Sequence, residues 1–213
     1  MPWTYLVALT DVKKREQPRH SNQYGLCPVT NEPLNNVVLV VAPRSYPRLA
    51  EGLEIGAVYE HEGEKELACC VEGRYEDFYF FEWCRVLTII ITRSGKFIKN
   101  GTLDEWVDQV AGALEDEQKY PETGGRGPFW ELVRYGLRGV TFGPVVCAKL
   151  VRDFDEWEHV AKAHGDERFY ALYCRLRECF AYPNGSGLVY YPEPQYFRQS
   201  KSDDRPLLGI DLA

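Results

Sequence analysis

The sequence predicts an α+β fold, a small mainly β N-terminal region followed by a predominantly helical one. Two patterns carry this expectation. Residues 4–10 and 37–42 are β-branched, apolar runs of strand length, and such runs cluster in the first third of the chain. From residue 75 the apolar positions instead recur at helical spacing, with Pro and acidic residues at the starts and Gly at the ends. At 213 residues, 45% hydrophobic and 27% charged, the chain has the composition of a globular protein that needs no disulfide or metal staple.

In the β region, residues 53–60 and 66–72 are further strand candidates, separated by the turn-prone Glu62-Gly63-Glu64. The polar stretch 11–36, with Pro18, Pro28 and Pro33, reads as loop, and its basic cluster Lys13, Lys14, Arg15, Arg19 and His20 as part of a solvated loop. The first helix is expected over 75–93. Thr102 and Glu105 form a capping box for the second, which carries Leu103, Trp106, Val107, Val110 and Leu114. Pro128 fits the first position of a short helix with Phe129, Leu132 and Val133. Pro144 opens a longer one, striped by Ala148, Val151, Phe154, Trp157, Val160 and Ala161 and ended by Gly165. Asp166 caps a last helix bearing Phe169, Tyr173, Leu176 and Phe180, which Pro183 stops. Residues 188–191 read as a short strand. The expected organisation is therefore 1–72 mainly β, 73–191 helical and 192–213 an extended tail, with a single integrated domain as the alternative.

Acidic residues outnumber basic ones 32 to 25, for a net charge of −7. That sign disfavours nucleic acid as the main ligand and favours basic partners. The seven Cys (27, 69, 70, 84, 147, 174 and 179) are odd in number and contain no C-x-x-C pair, so reduced thiols and a cytoplasmic location are expected. The N-terminal stretch places its charges after a short apolar run, the reverse of a signal peptide. No apolar run is long enough for a membrane helix.

Metal, cofactor and catalytic patterns fall short on spacing. Glu156 and His159 make one Glu-x-x-His match where a carboxylate-bridged dimetal site needs two, and no cofactor is expected. Cys27, on the loop Gly-Leu-Cys-Pro, lacks a local base. The segment Gly124-Gly125-Arg126-Gly127-Pro128 before a helix start has the elements of an anion site but reads first as a connector. Two helices mix acid with tryptophan: Asp104, Trp106 and Asp108 on one, Asp155, Glu156 and Trp157 on the other. Acid beside aromatic suits a surface that recognises a basic protein.

Three segments, Gly127-Pro-Phe-Trp-Glu-Leu, Gly139-Val-Thr-Phe-Gly-Pro and Lys149-Leu-Val-Arg-Asp-Phe, resemble an uncharacterised group of bacterial proteins with G-P-F-x-E-L, G-x-x-G-P and K-L-x-x-D-F motifs, the second carrying one more residue between its glycines here. The resemblance spans about residues 75–191 and implies no established activity. Together these features favour a binding protein, most concretely an immunity- or antitoxin-type inhibitor of a basic toxin. The alternatives are an enzyme of unfamiliar type, using Cys27 or the Glu156–His159 pair, and a phage accessory protein.

Overall fold

A computed structural model describes residues 5–15, 37–68, 86–87, 103–136 and 139–190. It is an α+β structure in three layers: a helical layer, a four-stranded antiparallel sheet, and a three-stranded antiparallel sheet on the far side. The strands are β1 (Tyr5–Thr10), β2 (Lys13–Lys14), β3 (Val37–Leu39), β4 (Val58–Glu60), β5 (Gly63–Ala68), β6 (Thr141–Phe142) and β7 (Leu188–Tyr190). The helices are α1 (Leu103–Gly112), α2 (Trp130–Tyr135), α3 (Pro144–Ala163) and α4 (Glu167–Ala181).

The larger sheet runs β5-β1-β7-β6 and the smaller β2-β4-β3. The alternation of side chains along β1 explains the layering. Leu6 and Ala8 face the helices, whereas Val7 and Leu9 face the small sheet, where they meet Val38, Val40 and Tyr59. Strand β7 repeats the division, with Val189 in the helical core and Leu188 in the other. Because β6 and β7 complete the sheet begun by β1 and β5, residues from both ends of the described chain share one core.

Two strands cross from one sheet to the other by bending. Between β1 and β2 the bend falls at Asp11, whose φ of 52° is left-handed. The break between β4 and β5 falls at His61-Glu62 rather than at the expected 62–64, and Gly63 already pairs with Thr10. The expectation of loop from residue 11 needs correction as well, since Lys13 and Lys14 form β2 against β4. Each cation there faces an acid: Lys13 with Glu62 at 2.7 Å, Lys14 with Glu54, and Arg15 with Glu60 at 3.3 Å. Cross-strand ion pairing favours this register over a free loop.

The helix boundaries follow the caps. Asp166 accepts from the amides of Arg168 and Phe169 at 2.9 and 3.0 Å, as an N-cap should, and α3 ends just before Gly165, whose φ is 83°. Of the expected helix over 75–93, only Val86 and Leu87 are described, and both are helical; Thr102, residues 69–85 and the tail lie outside the described residues. Gly143 has extended backbone. A Cβ there would stand 2.4 Å from the Glu51 carbonyl oxygen, so it is glycine because the chain passes against residues 50–51.

Candidate functional site

Two of the three resemblance segments, 127–132 and 149–154, meet in one buried ionic cluster. Lys149, on the second turn of α3, donates from Nζ to the Gly127 carbonyl at 3.0 Å and to Glu131 Oε2 at 2.6 Å, and forms an ion pair with Asp153 Oδ2 at 2.9 Å. Glu131 lies on α2 and Asp153 one turn beyond Lys149, and both side chains are nearly inaccessible to solvent. Glu131 Oε1 also faces the Tyr46 hydroxyl at 3.4 Å. One cation against two carboxylates, each with further hydrogen bonds, is the arrangement that offsets the cost of taking charges out of water.

Asp153 has a second task. Its Oδ2 accepts the backbone amide of Phe129 at 2.9 Å. The expectation that Pro128 begins α2 is corrected here: the helix starts at Trp130, and Phe129 caps it in the left-handed region at φ 61°. A bulky residue held at that angle is strained. The carboxylate and the packing of the Phe129 ring against Phe154 and Tyr173, at 4.8 and 6.1 Å, offset the strain. The same bond settles what holds the chain at this helix start. The amide that could meet an anion there is taken by the protein's own carboxylate.

Burial sets the titration of this region. Desolvation pushes the Asp153 carboxyl up to about 6, partly opposed by Lys149 and the Phe129 amide. Desolvation, with the neighbouring Glu131 charge behind it, pushes the Tyr46 hydroxyl up to about 12. The thiols of Cys147 and Cys179, both buried, are likewise raised by desolvation, Cys179 to about 12. A buried thiol of that kind is a small apolar side chain rather than a nucleophile.

The acidic faces lie elsewhere. On α3, Asp155 and Glu156 are exposed, and Asp155 is held by Arg177 of α4 through two bonds of 2.8 and 3.2 Å. Glu158, also exposed, accepts from the Tyr170 hydroxyl at 2.8 Å. Trp157 is half-buried against the helical core, and its Nε1 has no partner among the described residues. Asp153, which opens the acid-dense run Asp-Phe-Asp-Glu-Trp-Glu, points instead into the ionic cluster. On α1, Asp108 is exposed and paired with Arg134 of α2. The backbone of Asp104 and Trp106 belongs to α1, while their side chains lie outside the described residues. The two predicted patches thus sit on different helix pairs, α1 with α2 and α3 with α4.

Glu156 and His159 do not form a carboxylate–imidazole pair. His159 Nδ1 meets the Glu156 backbone carbonyl at 3.1 Å, a contact within one helical turn. Among the described residues no three His, Cys, Asp or Glu side chains converge as a metal site, and no helix is long and apolar enough to cross a membrane. Cys27 lies outside the described residues. No family model, curated protein or solved structure matches the chain.

Sequence reasoning missed Tyr46, Glu131, Lys149 and Asp153. A signal was available: Glu131 sits inside the apolar run 129–133, and Lys149 and Asp153 each adjoin a buried residue, Leu150 and Phe154. Charged residues at core positions of a helix ask for partners.

Proposed function

We propose that the chain is a bacterial cytosolic binding protein, an immunity- or antitoxin-type inhibitor that neutralises a basic protein toxin by direct contact. The observation that carries this reading is the division of its charges. The charges of the inner cluster are locked together in the interior, where Gly127, Glu131 and Asp153 hold Lys149, while Asp155, Glu156 and Glu158 are exposed along one helix. An exposed acidic row beside an aromatic side chain steers a cationic partner and raises its association rate. The net charge of −7 acts in the same direction. The bacterial setting rests on the resemblance of the three segments, and the cytosolic one on the cysteine usage.

The reading is tested with a basic protein encoded beside this chain. Purified chain should bind it and suppress its toxic activity at equimolar ratio. Association should slow as salt rises, because screening shortens the reach of the acidic face. A neighbouring basic protein that neither binds nor loses activity would contradict the proposal.

A further inference from the structure

Beside the ionic cluster, three buried rings meet around α2. Tyr46 and Tyr135 stack with planes 4° apart and centroids 6.0 Å apart. Trp130 stands edge-on to both, at 5.1 and 5.7 Å. Two of the rings are fixed at their polar ends as well: the Tyr46 hydroxyl on Glu131 and the Trp130 indole N–H on Glu115 at 2.8 Å. Fixed rings present fixed π faces. The guanidinium of Arg126 lies over two of them, 4.4 Å from the Tyr46 centroid and 5.0 Å from that of Trp130.

The cation is held less firmly than the corner that receives it. Among the described residues its hydrogen bonds run only from Nη1 to the carbonyls of Thr123 and Gly124, at 3.5 and 3.4 Å, and it has no carboxylate partner there. The backbone is better anchored, through the bridge to Glu115 and the Thr123 hydroxyl bond to the Arg126 carbonyl at 2.5 Å. The side chain can therefore leave without unravelling its loop. A guanidinium held mainly by stacking is bound weakly enough for a competing cation to displace it. Planar, weakly hydrated guanidinium suits two ring faces better than a compact ammonium does.

We propose that Tyr46 and Trp130 form a guanidinium-binding corner, which Arg126 occupies in the free chain and which an arginine side chain of a protein partner takes in its place. That the partner is a basic protein rests on the function proposed above; the corner itself does not. The two ideas fail separately, because the corner is probed with a small molecule and the acidic face with charge reversals on α3.

The probe is ethylguanidinium, titrated while following the indole N–H resonance of Trp130, which is assigned by its loss in Trp130→Phe. In Arg126→Ala the resonance should shift saturably, with an affinity on the order of millimolar. In the unaltered chain, where Arg126 competes, binding should be on the order of tenfold weaker. Ethylammonium at the same concentrations should bind more weakly than ethylguanidinium. Arg126→Gln, which keeps a polar stem for the loop carbonyls, is measured alongside and should behave like Arg126→Ala, so loss of fold in one variant leaves the other to decide. A shift that stays linear in the folded variant, or saturation at equal concentration with and without Arg126, would overturn the proposal.

Discussion

Two sets of charges lie on the same helix, α3, and they differ in nearly everything but charge. Lys149 and Asp153 face inward with Glu131, and all three are almost fully buried. Asp155 and Glu156 face outward, the first paired with an exposed arginine of α4. Asp155 lies two positions after Asp153, enough to turn a helix through about half a revolution. The inner set ties α2, α3 and the loop at Gly127 into one unit. The outer set adds only an exposed pair between α3 and α4, Asp155 with Arg177.

The largest effect should come from breaking the inner set. Lys149→Met leaves two carboxylates buried without their cation and should lower stability by about 3–5 kcal/mol, read from urea unfolding. A loss no larger than that of a surface substitution would mean that the cluster is solvated. Asp153→Asn should cost less, because an amide oxygen can still accept the Phe129 N–H; a cost of about 1–3 kcal/mol is expected. Its pH dependence sharpens the assignment. Between 3.8 and about 6 the folded chain holds the Asp153 proton and the unfolded chain does not. The stability contributed by that proton is thus complete below 3.8 and is lost as pH rises through about 6. Measured at pH 4.5 and 7, the unaltered chain should lose ground to Asp153→Asn at the higher pH, and parallel profiles would refute the shift.

How much of this was open to a reader of the sequence depends on the period of the signal. The strand at residues 5–10, the Asp166 cap and the stop after residue 163 all rest on contacts within a turn or on simple alternation, and the sequence displays those directly. The bend at His61-Glu62 and the start of α2 at Trp130 do not, because each is decided by a distant partner: Thr10 across the sheet for one, the Asp153 carboxylate for the other. The ionic cluster was hidden for the same reason. Asp153 sits in the run Asp-Phe-Asp-Glu-Trp-Glu, where acid density suggests solvent, and only the placement of Glu131 and Lys149 turns it inward. Three-dimensional neighbours override local composition wherever a buried charge finds its partner.

The outer set should respond much less in stability. Arg177→Ala removes both bonds to Asp155, yet the pair is exposed and screened, so less than about 1 kcal/mol should be lost in thermal unfolding. A cost comparable to that of Lys149→Met would erase the distinction between the two sets. Trp157→Phe is the smallest change expected, since the ring packing is largely kept and the indole N–H has no partner among the described residues to lose. Its unfolding midpoint should stay close to that of the unaltered chain.

Under the proposed function the outward charges of α3 serve a partner, while the inward ones serve the fold. The double charge reversal Asp155→Lys with Glu156→Lys separates these roles, measured for its association rate with the neighbouring basic protein at low and high salt. Association should be slower by on the order of tenfold at low salt, with a flattened salt dependence and a urea midpoint close to the unaltered one. An association rate and salt dependence left unchanged by the reversal, with the fold intact, would contradict that division of roles.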